Sequence, residues 1–177
     1  MHRHRAALVV VRTFLGIVYL SNGLAKLFTI HSVTIGPWRS YLIDRADALG
    51  ILKANSRGAP APLHDLAGVV IDHWGVAQWL LTLGELAVGV GLLLGLLSQL
   101  SALAGLLLAL STFVFALAAG AWTYDYLFEP VILAALALTP ALPGLDSRLP
   151  RVARVRHGAM DAQRPGAAAA GGERGAT

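Results

Sequence analysis

The chain has 177 residues, 56% of them hydrophobic and only 14% charged, and several apolar runs reach bilayer-crossing length. It therefore reads as an all-α integral membrane protein of one domain, not as a soluble core. It contains no cysteine, which excludes disulfides, thiolate chemistry, iron–sulfur clusters and covalent c-type haem within the chain. The formal net charge is +4 and the isoelectric point about 10.0, but the basic residues gather at the two ends beside apolar runs. The positive-inside rule accounts for them there, and no nucleic-acid partner is expected.

The opening MHRHR and the apolar run after it have the outline of a signal peptide. The apolar segment from Ala6 to Ile30 is, however, longer than an h-region of about 7 to 15 residues and is interrupted by Arg12. It is read as a retained first span, residues 6–30. Arg12, Tyr19 and Lys26 recur seven residues apart, and Asn22 lies three after Tyr19 and four before Lys26, so all four fall on one helix face. Gly16 and Gly23 share that face and open it to close approach by another helix. Arg12 is expected to snorkel to the inner surface. For Lys26 two readings stand side by side: snorkelling to the outer surface, or membership with Asn22 and Tyr19 of an inward-facing polar site.

Residues 31–75 form a long connection broken by Gly36-Pro37 and by the run from Gly58 to Pro62. Its basic residues Arg39, Arg45, Lys53 and Arg57 nearly balance Asp44, Asp47, Asp65 and Asp72. Trp38 to Lys53 and Leu63 to Trp74 are expected as short helices lying on the membrane surface. A connection of this length serves as a lid, a binding loop or a docking surface. His31, His64 and His73 are scattered through it; they are read as solvated loop histidines, and no metal site is assigned.

The second span, residues 76–97, reads VAQWLLTLGELAVGVGLLLGLL and carries one acid, Glu85. A charged group in mid-membrane costs about 2.5 to 3.5 kcal/mol, so it normally faces the bundle interior and finds a partner or a proton. Trp74 and Trp79 stand at the entrance, and Ala87, Gly91 and Gly95 recur every four residues as a close-packing seam. A short turn at Ser98 to Ser101 sends a third span, residues 102–122, back antiparallel; it has no ionisable group. The polar turn TYDYLFEP precedes a fourth span, residues 127–142. There Glu129-Pro130 suits a helix start, because proline tolerates the first turn and an acid there favours the helix dipole; the other reading of Glu129 is a functional acid. Residues 1–149 thus make a four-transmembrane-helix bundle with a long outer loop between helices 1 and 2. Residues 150–177 are a basic tail without the means to build a core.

Four spans put both termini on one side, and Arg3, Arg5, Arg12 and the tail arginines mark it as cytoplasmic. Trp38, Trp74, Trp79, Trp122, Tyr41, Tyr124 and Tyr126 then fall near the outer interface, where amphipathic rings settle. From that boundary Glu85 lies roughly 14 Å deep, Asn22 about 12 Å, Lys26 about 6 Å and Arg12 near 27 Å, at 1.5 Å per residue. Arg12 is too far to serve Glu85. Lys26, with Asn22 and Tyr19 beneath it, is the best available neutralising set.

The first span RTFLGIVYLSNGLAKLF, the hairpin GELAVGVGLLLGLLSQLSALAGLLLAL, the turn WTYDYL and the closing GLDSRL together resemble the DoxX/DoxD family of small four-helix bacterial membrane proteins. The long first loop leans toward the DoxD-like branch, a membrane subunit of thiosulfate:quinone oxidoreductase. Family motif positions correspond to Gly16, Gly23, Lys26, Glu85, Gly95, Trp122, Tyr126 and Asp146; one departure is Ser98-Gln99, where the family often carries a basic residue. The resemblance implies a multi-pass protein of the bacterial plasma membrane that passes electrons to membrane quinone, with a second subunit or a soluble oxidoreductase as partner.

A quinone site needs an apolar cleft, donors for two carbonyl oxygens and a route for protons. On this reading Glu85 and Lys26 are the catalytic pair, Glu85 handing on protons. Tyr19, Asn22, Trp79, Trp122 and Tyr126 are the quinone-binding residues. The quinone is a substrate, and no bound-cofactor motif is present. Two other classes remain: a non-catalytic anchor or assembly partner of an oxidoreductase complex, and a small-molecule carrier, for which the chain offers neither inverted repeats nor broken helices. The small-residue seams allow homo-oligomers as readily as packing within one chain.

Overall fold

The computed structural model describes residues 2–118, 123–139 and 144–145. Six helices and one hairpin follow in the order α1 (His2–Phe28), β1 (Ser32–Ile35), β2 (Trp38–Tyr41), α2 (Arg45–Ser56), α3 (Ala61–Asp72), α4 (Trp74–Leu94), α5 (Ser98–Ala118) and α6 (Thr123–Leu138). Among the described residues three helices are long and apolar enough to cross a membrane: α1 over residues 5–28, α4 over 74–94 and α5 over 98–117. The apolar part of α6, Tyr126–Leu138, is shorter. Phe14, Leu80 and Leu107 are among the large apolar residues exposed on the three long helices, as a lipid-facing surface requires.

Helix α1 packs along α4 in antiparallel register. Leu86 sits over Gly23, Leu20 over Gly89 and Leu93 over Gly16, so on each level a leucine fills the space a glycine leaves. The expected seam of Ala87, Gly91 and Gly95 divides differently. Ala87 is exposed, Gly91 faces Ser101 and Gly95 faces Arg12, while Gly89 meets α1 backbone. Leu15 and Tyr19 of α1, Val88 and Leu92 of α4, Ala102 and Ala109 of α5, and Leu133 and Leu136 of α6 close into one core.

The turn between the second and third spans lies earlier than expected. Gly95 adopts a left-handed conformation (φ 61°), and the Leu96 N–H donates back to the Gly91 carbonyl at 2.9 Å. This Schellman-like stop ends α4, so α5 begins at Ser98 and Ser98 to Ser101 are helical. Arg12 does not snorkel: it is 4% exposed, with its guanidinium against Gly95. The absence of a side chain at Gly95 lets the cation reach the C-terminal, negative end of α4. The fourth helix also starts earlier, at Thr123, leaving Pro130 inside it. Pro130 lacks an N–H to give the Tyr126 carbonyl, a defect the helix absorbs with Pro130 buried.

The connection from α1 to α4 is folded. Where a helix from Trp38 was expected there is a hairpin, with Ser32 opposite Tyr41 and Ile35 opposite Trp38. Gly36 takes the positive φ (58°) and Pro37 follows. Proline cannot adopt positive φ, so the loop follows the glycine-first II′ pattern. The flanking SVTI and WRSY are rich in β-branched and aromatic residues, which suit strands. Two short helices follow, displaced from their expected bounds. Asp44 caps α2 by accepting from the Asp47 N–H at 2.8 Å. His64 Nδ1 lies 3.0 Å from the Ser56 carbonyl, tying α3 to the end of α2.

Candidate functional site

The antiparallel register of α1 and α4 brings Lys26, near the end of α1, level with Glu85, in mid-α4. Lys26 Nζ lies 2.8 Å from Glu85 Oε2 and 3.0 Å from Oε1. Their side chains are 3% and 13% exposed, so the pair is shielded and each charge depends on the other. Lys26 donates one hydrogen bond to Glu85 Oε1 and another to the Ile43 carbonyl at 3.0 Å. The Ile43 N–H in turn points to Asn22 Oδ1 at 3.4 Å. Both backbone groups of Ile43 are thus engaged by α1, one turn apart, and the connection is folded down onto the ion pair.

Tyr19 is buried about two turns before Lys26 on α1, and its hydroxyl donates to the Gly105 carbonyl of α5 at 2.9 Å. Glu129 of α6 comes near enough to the Tyr19 hydroxyl and to Glu85 to act on both electrostatically. The cluster therefore draws on α1, α4, α5 and α6: an ammonium, two carboxylates and a phenol in a shielded interior. Such a set can bind a proton and pass it between neighbours. Arg12 takes no part, being held at the far end of α4.

Of the residues expected to bind a quinone, Tyr19 joins this cluster and Asn22 holds Ile43. Trp79 lies beneath the Arg45 guanidinium, 4.9 Å from its ring centre, which ties α2 to α4. Tyr126 is exposed on α6, and Trp122 lies outside the described residues, as does Asp146. An apolar cavity of about 360 Å³ sits between α2, α3, α4 and α5, walled by Ile43, Ile51, Leu66, Trp74, Leu81 and Phe115 among others. Tyr19, Asn22, Trp79 and Tyr126 are not in its lining; Ile43, which touches Lys26, is.

Glu129, which the sequence allows as a helix cap or as a functional acid, stands beside the cluster because α6 begins at Thr123. Asp44, fully buried, was one charge among eight in the connection.

No family model, curated protein or solved structure matches this chain. The fold and the site define a mostly helical protein with, among the described residues, three helices of membrane-spanning character and an interior charge cluster. The likeness to the DoxX/DoxD family rests on the quoted motifs alone.

Proposed function

We propose that this chain is a multi-pass membrane subunit of a quinone-linked oxidoreductase of the DoxX/DoxD type, with thiosulfate as the donor the resemblance suggests. In this reading α1, α4, α5 and α6 are four spans, both termini are cytoplasmic, and residues 31–75 form the outer connection. The observation that carries the proposal is the shielded Lys26–Glu85 pair with Tyr19 and Glu129 beside it. Quinone reduction takes up protons as well as electrons, and this cluster is a set of protonatable groups inside an apolar bundle. The 360 Å³ cavity falls within the range of about 300 to 1,000 Å³ of small-molecule sites, and Ile43 links its wall to Lys26.

A second reading, a non-catalytic anchor or assembly partner, draws on the folded connection. Ile35 and Tyr41 on its hairpin are 73% and 75% exposed, as residues that dock on a soluble enzyme would be.

The test is anaerobic reduction of a soluble quinone by membranes carrying the wild type or Glu85→Gln, with thiosulfate as donor and protein levels matched. The oxidoreductase reading expects turnover in the wild type and a fall of about 10²-fold or more in Glu85→Gln, the size of a lost acid–base group. Full turnover in the variant removes Glu85 as a proton carrier. Activity that survives Glu85→Gln but fails when residues 32–41 are deleted favours the anchor.

A further inference from the structure

We propose that His31, Asp44 and Asp47 form a site for a divalent transition-metal ion of the Zn²⁺/Mn²⁺ class, joining the end of α1 to the start of α2. The hairpin makes the site: it returns the chain so that His31, just after α1, faces the first turn of α2. His31 Nδ1 lies 3.2 Å from Asp44 Oδ2 and 3.5 Å from Asp47 Oδ2, and one ligand atom from each residue lies within 4.8 Å of the others. Four ligands at about 2.1 Å in a tetrahedron stand roughly 3.4 Å apart, so the two shorter spacings already match edges of a coordination shell. Asp47 is about half exposed, and its carboxylate can rotate to close the third edge.

Asp44 supplies the independent observation. Its side chain is 0% exposed, its Oδ1 is used as the α2 cap, and its Oδ2 is buried without a hydrogen bond. A buried carboxylate oxygen that receives no hydrogen bond is costly; this one faces the imidazole nitrogen at 3.2 Å, a contact that compensates it only when the ring is protonated or a cation lies between them. An ion placed among the three atoms removes that cost. One imidazole and two carboxylates, without sulfur, suit Zn²⁺ or Mn²⁺. Three protein ligands leave coordination positions for water, so the site is not of the closed structural kind. Asp44 directly follows Ile43, whose carbonyl and N–H are held by Lys26 and Asn22. Metal occupancy thereby fastens the connection over the ion pair, whatever chemistry that pair performs.

The experiment is titration of the purified full chain in detergent micelles with Zn²⁺, and in parallel Mn²⁺, with bound metal counted after equilibrium dialysis. One saturable ion per chain is expected for at least one of the two. His31→Ala and Asp47→Asn should each weaken its binding by at least about tenfold. His64→Ala should bind as the wild type does, because His64 is occupied at the α2–α3 junction. Neither variant needs to disturb folding, since the cap uses the Asp44 side chain and the backbone N–H of Asp47; circular dichroism checks this. No saturable uptake of either ion overturns the proposal. So does undiminished uptake by His31→Ala or Asp47→Asn, or an equal loss in His64→Ala.

Discussion

Replacing Lys26 with methionine is expected to destabilise the folded protein by about 3 to 5 kcal/mol, the usual cost of breaking a buried ion pair from one side. The loss does not lie in the Coulombic attraction alone. Glu85 would remain shielded without its counter-charge, and the Ile43 carbonyl would lose the ammonium that now holds it at 3.0 Å. The connection would be released from α1 at the same step. Glu85→Met should be comparably harmful, because it strands the ammonium instead. The double variant Lys26→Met/Glu85→Met is expected to recover most of the loss, since two apolar chains of similar volume remove both desolvation penalties. Chemical denaturation in detergent, with all four proteins compared, gives the coupling energy directly. Single variants as stable as the wild type would mean that the pair is solvated and that the cluster is no shielded site. The double variant serves a second purpose: a protein that folds but does not turn over separates the pair's chemical role from its structural one.

The long helices are legible because length and apolar content are properties of a single segment. Lys26 and Glu85 can be matched from depth along their helices, because two helices joined through a connection and packed antiparallel leave few levels at which they can meet. The rest depends on contacts that no local pattern carries. Pro130 after Glu129 obeys the rule for a helix start, yet α6 begins at Thr123, about one turn before the expected residue 127, and carries Glu129 inward. The spacing of Ala87, Gly91 and Gly95 is as regular as a packing seam should be. Gly91 and Gly95 are nevertheless used at the α4–α5 turn and at Arg12, and the closest approach to α1 falls on Gly89. The hairpin was within reach of sequence reasoning, since SVTI and WRSY flank a glycine and a proline. Reading Gly36-Pro37 only as a break concealed it, and with it the meeting of His31, Asp44 and Asp47. Asp44 and Asp47 are neighbours on the first turn of α2, but His31 meets them only after the strands pair.

Gly89→Ala is expected to be strongly destabilising for a single added methyl, costing on the order of 3 kcal/mol, at the upper end of ordinary overpacking. A Cβ at this position would lie 2.5 Å from the Leu20 nitrogen and 2.8 Å from its Cα. Both atoms are backbone, so no rotamer change relieves the contact, and α1 must move away from α4 as a body. That movement would loosen Leu86 over Gly23 and Leu93 over Gly16, which belong to the same interface, and would stretch the Lys26–Glu85 contact at its upper end. Gly50→Ala and Gly68→Ala provide the comparison: a Cβ at either meets nothing within 4 Å, and within a helix alanine is preferred to glycine by about 0.5 to 1 kcal/mol. These two variants should therefore match or exceed the wild type in a thermal melt in detergent while Gly89→Ala falls well below it. Equal melting of all three would show that α1 and α4 stand farther apart than their glycines allow, and the frame that sets Lys26 against Glu85 would have to lie elsewhere. Should the proposed quinone reduction be measured, its loss in Gly89→Ala with Gly68→Ala fully active would tie that activity to the spacing of these two helices, because residue 89 carries no chemistry of its own.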